Sequence, residues 1–188
     1  MRIVAGEFGG RPLKAVPGTA TRPTTDKVKE AMFSMVGPYF DGGTSLDLFA
    51  GSGGLSIEGV SRGLDHAYLV DKQFAAIKTI NENIAMTKAP ERFTVLKRDA
   101  RLALQQFAAD KVVFDVIYLD PPYAKQQILD DIQMMIDLHL LNEDAIIVAE
   151  TDHEAGLPEE VPSFTRTHHK NYGITEVTVY EYEGSTDQ

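Results

Sequence analysis

The sequence predicts one α/β domain built on a seven-stranded sheet, five parallel strands followed by a C-terminal antiparallel pair, with helices on both faces. Three observations carry that expectation. From Thr44 onward, short β-rich runs alternate with stretches of helical period, as in a parallel sheet. After Glu150 the helical stretches stop, and two alternating apolar–polar runs flank residues 171–173, which reads as an antiparallel pair. The chain has 188 residues, 43% hydrophobic and 24% charged, which suits one domain with a core that needs no staples.

The elements follow in order. A Gly-rich segment comes first, with a small hairpin expected between residues 3–5 and 13–15. Pro23 blocks helix upstream, Thr24 or Thr25 can cap the helix that follows, and Val28, Ala31, Met32, Met35 and Val36 form its apolar stripe. Gly37 and Pro38 end it. Parallel strands are expected at residues 45–49, 67–71, 93–97, 113–119 and 145–150, with helices starting near Gly54, Gln73, Ala100 and Lys125. The last helix has the clearest stripe, because Ile128, Leu129, Ile132, Met135 and Ile136 share one face. Residues 163–170 and 175–183 form the final pair. The expected organisation is therefore a single domain over 1–188, with an N-terminal basic arm over 1–43, a core over 44–183 and a frayed polar tail over 184–188.

Composition excludes several kinds of chemistry. Without cysteine there are no disulfides, thiolate zinc sites or cysteine nucleophiles. The histidines at 66, 139, 153, 168 and 169 show no ligand spacing, so no metal is expected. The opening residues lack an apolar h-region and no apolar run reaches the length of a membrane span, so a soluble cytoplasmic protein is expected. The net charge is −10, but it is unevenly spread. Arg2, Arg11, Lys14, Arg22, Lys27 and Lys29 against Glu7 and Asp26 give the first 29 residues +4, which leaves −14 on the rest. A basic arm on an acidic body points to a polyanion met by one face; a merely solvated tail is the bland alternative.

Two motifs carry chemistry. Ser45-Leu46-Asp47-Leu48-Phe49-Ala50-Gly51-Ser52-Gly53-Gly54 runs from a strand through a glycine turn into a helix, which lets backbone approach a ligand at the helix N-terminus. Asp71, with Lys72 beside it, ends the next strand, where a carboxylate can accept from ribose hydroxyls. A dinucleotide fingerprint would want glycine where Ser56 stands, and Asp47 would repel a pyrophosphate. The same carboxylate could hold the ammonium of a methionine moiety, so S-adenosylmethionine fits better than NAD. Asp99 either accepts from an adenine amino group or simply caps the next helix.

The second motif is Val116-Ile117-Tyr118-Leu119-Asp120-Pro121-Pro122-Tyr123, directly after the fourth strand. Two prolines remove two N–H donors, so the turn offers acceptors. The Asp120 carboxylate and Pro121 carbonyl suit the two hydrogens of an exocyclic amine, with Tyr123 as a stacking wall. Such an amine is a poor nucleophile, and acceptors on both hydrogens favour a pyramidal nitrogen whose lone pair can meet a methyl group. Asp120 is then the expected proton acceptor.

These residues resemble the first and fourth motifs of Rossmann-like, class I S-adenosylmethionine-dependent amino-methyltransferases. Gly10-Arg11-Pro12-Leu13, Arg22-Pro23-Thr24-Thr25-Asp26-Lys27-Val28-Lys29-Glu30 and Lys170-Asn171-Tyr172-Gly173-Ile174-Thr175 are similar to the bacterial RsmD-type 16S rRNA (guanine-N2)-methyltransferases. That resemblance implies methylation of the exocyclic N2 of a guanine in 16S rRNA, with the small ribosomal subunit or its assembly intermediate as partner. It implies that Arg22, Thr24 and Asp26 face a pocket closed by their segment. Asp71 would hold the ribose, Asp99 and Ala100 the adenine edge, and Asp120, Pro121 and Tyr123 the target base. Asp47, Phe49, Gly51, Ser52, Gly53 and Lys72 complete the expected cofactor set, and Arg11, Lys14, Arg22 and Lys27 the RNA contacts. A monomer is expected. DNA adenine-N6 methylation, protein side-chain amide methylation and a catalytically silent binding module are the competing readings.

Overall fold

The computed structural model describes residues 1–18, 24–121, 125–152 and 155–184, with side chains in the third stretch from Gln127 onward. Its elements are α1 (Asp26–Val36), β1 (Thr44–Asp47), α2 (Gly54–Ser61), β2 (His66–Asp71), α3 (Phe74–Thr87), a 3-10 turn (Pro90–Arg92), β3 (Phe93–Lys97), α4 (Ala100–Ala109), β4 (Phe114–Leu119), α5 (Lys125–Asp137), β5 (Leu141–Asp152), β6 (Glu160–Val161), β7 (Phe164–Asn171) and β8 (Thr175–Tyr182).

One sheet runs in the order β3-β2-β1-β4-β5-β8-β7-β6. The first five strands are parallel, and β8, β7 and β6 are antiparallel to their neighbours. The sheet thus has eight strands rather than the expected seven. The added strand, β6, is two residues long and pairs only with Thr165 and Phe164, too short for a periodic signal. The antiparallel pairing expected between residues 3–5 and 13–15 is present in the arm but lies between residues 1–3 and 10–13. The arm makes one isolated bridge, Arg2 to Pro12, with Ile3 donating to the Arg11 carbonyl and Leu13 to the Met1 carbonyl. Much of its backbone is held instead by side chains of α2.

Side-chain alternation divides the core between the two faces. Met32 and Phe33 of α1, Ile57 and Val60 of α2 and Ile80 of α3 pack with Tyr118, Val148 and Val179 on one side. Leu104 and Phe107 of α4 and Ile128, Ile132 and Met135 of α5 pack with Ile117, Ile147 and Tyr180 on the other. Neighbouring residues of one strand therefore serve opposite layers, as the period of two requires. On the first side, helix and sheet sit very close: a Cβ at Gly59 would lie 2.3 Å from the Tyr118 hydroxyl.

The N-terminal arm and α1 are fastened to α2 by a buried ionic cluster. Glu58 accepts from the backbone N–H groups of Val4 (2.8 Å) and Ala5 (3.1 Å), from Arg62 Nε (2.8 Å), and pairs with Lys29 Nζ at 3.3 Å. Lys29 also donates to the Arg2 carbonyl at 2.5 Å. Burial lowers the proton affinity of the Lys29 ammonium and the Glu58 carboxylate opposes that shift. Replacing Glu58 by alanine strands two buried cations and two N–H donors. We expect Glu58→Ala to cost about 3–5 kcal/mol of stability, read by urea unfolding. A loss under about 1 kcal/mol would mean that the cluster is not holding the arm.

Because β1 to β5 are parallel, their carboxyl ends and the turns that follow share one edge. Asp152 pairs with Thr175, so the β7–β8 turn stands at that edge as well. In open α/β sheets this edge is where ligands bind.

Candidate active site

A cleft of about 910 Å3 opens at this edge, between the turns after β1, β2, β3 and β4 and the arm around Val16 and Thr24. Its volume lies within the range of roughly 300–1,000 Å3 usual for small-molecule sites.

The glycine turn is left-handed at two positions, Gly51 (φ 57°) and Gly53 (φ 83°), as only glycine adopts readily. They serve different ends. A Cβ at Gly51 would meet nothing within 4 Å, since this backbone faces the cleft, whereas one at Gly53 would lie 3.1 Å from Leu69 Cδ2. Gly53 therefore packs the turn onto the sheet and does not line the cleft. Gly51 N donates to Asp71 Oδ2 at 3.0 Å, and Asn83 Nδ2 of α3 donates to the Ser52 carbonyl at 2.8 Å. Asn83 carries no motif signal in the sequence, yet it sets the turn's position.

Asp47, 2% exposed, accepts from Phe49 N at 3.2 Å. Burial pushes its carboxyl up to about 7, against the Phe49 hydrogen bond and with help from Asp71 and Glu150. Asp71 is fixed at both oxygens, by Gly51 N and by Gln73 N at 2.9 Å. Asp99 is both a helix cap and a cleft residue. It accepts from Arg101 N and Leu102 N through Oδ1, so Oδ2 is not engaged in the cap.

Leu119 pairs with Ala149 in the parallel register, which brings Asp120, just past the end of β4, side by side with Glu150 of β5. Asp120 is half-buried in the cleft, and loss of solvent pushes its carboxyl well above the usual range, followed by the charges of Glu150, Asp47 and Asp152. Glu150 is buried and raised too, with desolvation opposed by a hydrogen bond from Thr24 Oγ1 at 2.7 Å. Thr25, not Thr24, caps α1, accepting from Val28 N. Glu150 was not singled out from the sequence; its only signal is an acid ending an apolar run.

The other expected residues are placed as follows. Thr24, Phe49, Ser52, Lys72 and Ala100 line the cleft. Asp26 is engaged by Arg2 at 3.4 Å, and Pro121 follows Asp120 at the end of its described stretch. Arg22 and Tyr123 lie outside the described residues. In the arm, Arg11 donates to the Met86 and Thr87 carbonyls at the end of α3, and Lys14 pairs with Glu82 at 3.2 Å. Lys27 is exposed. Two cations that sequence reasoning passed over, Arg98 and Arg101, stand with Lys72 in the cleft wall.

Among the described residues no group of His, Asp and Glu is arranged to hold a metal ion, and no helix is long and apolar enough to cross a membrane. Carboxyls that repel one another in a desolvated cleft favour a cation.

A parallel sheet with this strand order, an antiparallel end and an acidic cleft over its carboxyl edge defines the class I methyltransferase fold. The chain belongs to the RsmD-type family described as "Conserved hypothetical protein 95", whose model matches residues 1–181. It is 47% identical to the "Putative rRNA methyltransferase YlbH" of Bacillus subtilis over 98% of this chain and 100% of that one. It is 29% identical to the "Ribosomal RNA small subunit methyltransferase D" of Escherichia coli K12 over 97% of this chain and 90% of that one. Among solved structures, the "Putative methyltransferase yhhF from Escherichia coli" superposes with a TM-score of 0.84 at 30% identity, covering 98% of this chain and 99% of the other.

Proposed function

We propose that the protein is an rRNA methyltransferase that uses S-adenosylmethionine to methylate the exocyclic N2 of a guanine in 16S rRNA of the small ribosomal subunit. The observation that carries this reading is the set of carboxyls on three neighbouring strands, Asp47 and Asp120 lining the cleft with Glu150 beside Asp120, and among the described residues no group arranged to hold a metal ion. Relatives named for rRNA methylation support the substrate class.

The cofactor supplies a methyl group on a sulfonium centre. Asp47 balances its positive charge, Asp71 accepts from the ribose, and Asp99 Oδ2 with Ala100 N meets the adenine edge. Gly51 and Ser52 provide the backbone floor. Asp120 and the Pro121 carbonyl accept from the target amine while Tyr123 stacks on the base, and Asp120 takes the proton. Thr24 lines the pocket on the side of the arm.

Of the arm's cations, Arg22 and Lys27 meet RNA, with Arg98 and Arg101 at the rim, where Arg98 also donates to Gln106 and Arg101 stands 3.7 Å from Asp131. Arg11 and Lys14 act chiefly by tying the arm to α3, given their partners. Neutralising Lys27, Arg98 and Arg101 together is expected to flatten the salt dependence of RNA binding by about 0.7–0.9 log units of slope for each phosphate no longer neutralised. Arg11→Ala should lower stability and leave that slope unchanged. The reverse pattern, read by filter binding across salt concentrations, would reassign the RNA face to the arm's tip.

The reading itself is tested by transfer of labelled methyl from S-adenosylmethionine to three acceptors: small subunits from a strain lacking the activity, naked rRNA and unmethylated duplex DNA. Label on guanine N2 in rRNA is the expected result. Label on DNA adenine alone would overturn the substrate class and keep the chemistry.

A further inference from the structure

The D-P-P-Y motif accounts for Asp120 but not for the acid next to it. Glu150 lies in β5 one strand away, level with Asp120 through the Leu119–Ala149 pairing, and is 8% exposed. A buried acid next to another acid is costly unless something holds it. Here the Thr24 hydroxyl does, at 2.7 Å, across 126 positions of sequence. A hydroxyl donating to a carboxylate favours its ionised form, so Thr24 opposes the upward push that burial gives Glu150, and the more Glu150 is ionised the more avid the neighbouring Asp120 is for a proton.

We propose that Glu150 is a positioning residue of the methyl transfer: hung on Thr24, it keeps its charge beside Asp120 and makes Asp120 the acceptor of the amine's proton. This rests on the methyltransferase reading above. In the step, the amine nitrogen uses its lone pair to form the N–CH3 bond as the S–CH3 bond breaks, and the bonding pair stays on sulfur. The nitrogen's surplus proton passes to Asp120 and then to water.

Asp47 from β1 and Asp152 from β5 itself push the Asp120 carboxyl the same way but less than Glu150 does, with Asp71 from β2 beyond Asp47. Lys29 of α1 lines the same cleft but is engaged by Glu58 and the Arg2 carbonyl. Thr24 also lines the cleft, so the hydrogen bond joins the cleft wall to the acid pair.

The test is single-turnover methyl transfer to small subunits across pH, with S-adenosylhomocysteine binding measured alongside by calorimetry. Glu150→Gln is expected to bind that product within a few-fold of wild type. Its transfer rate should fall about 10–100-fold, with the acidic limb of the pH–rate profile moved to lower pH. Thr24→Val should shift the limb the same way by a smaller amount, and Thr24→Ser, which keeps the hydroxyl, should return it. A fall in rate with the limb unmoved in both Glu150→Gln and Thr24→Val would make the pair merely structural and overturn the proposal, as would an unchanged rate. If Glu150→Gln fails to fold, the two Thr24 variants decide alone. A wild type that methylates no RNA overturns the underlying function, a result distinct from a working wild type whose variants show no shift.

Discussion

Asp120→Ala is expected to abolish methyl transfer while the cofactor cleft stays able to bind. Asp120 is the one half-buried carboxyl at the end of β4 with an acid on either side, Glu150 from β5 and Asp47 from β1. Alanine removes both the acceptor that orients the amine and the group that takes its proton. The expected loss in single-turnover rate is about 10³-fold or more. Binding of S-adenosylhomocysteine, measured by calorimetry, should survive, because Asp47, Asp71 and the glycine turn are untouched. Asp120→Asn should be nearly as damaged, since an amide keeps an acceptor oxygen but cannot take a proton. Transfer within tenfold of wild type in either variant would move the proton acceptor elsewhere.

The second large effect concerns Asp47. Its carboxyl titrates at about 7 in the folded chain against an ordinary 3.8, mainly because it is buried. Between those two values the unfolded chain has released a proton that the folded chain still holds, so stability falls as pH rises through that window and the loss is complete above about pH 7. At about 1.4 kcal/mol per pH unit, the full loss is on the order of 4 kcal/mol. Asp47→Asn removes the ionisation. The cofactor-free variant should therefore melt several degrees above wild type at pH 8 and near it at pH 4. Cofactor binding should change in the opposite sense. A cation in the cleft favours the Asp47 carboxylate, so wild-type affinity for S-adenosylmethionine should climb by up to about tenfold per pH unit below 7 and level off above it. In Asp47→Asn the affinity should be weak and flat. Equal stabilisation at pH 4 and pH 8 would place the gain in packing rather than in charge. The residue thus trades stability of the empty protein for affinity, as binding sites commonly do.

Much of the site was legible because its parts are local. A strand running into Asp47-Leu48-Phe49-Ala50-Gly51-Ser52-Gly53 states its turn in its glycines, and both turn glycines are indeed left-handed. The five parallel strands fall within a few residues of expectation because period and turn residues are short-range signals. The misses are long-range or very short. β6 has two residues and no period. The arm's cations look alike in sequence, yet Lys29 is buried against Glu58, Arg11 ties down the end of α3, and Lys27 is exposed.

By itself, then, the sequence determined the fold class, the two motifs and the family, since hydrophobic period and turn chemistry act over a few residues and need no partner. Only the tertiary structure decided which acids share the cleft and which cations are already taken. Those outcomes depend on strand order: placing β5 beside β4 sets Glu150 next to Asp120, and packing the arm over the sheet brings Thr24 to hold it from 126 positions away.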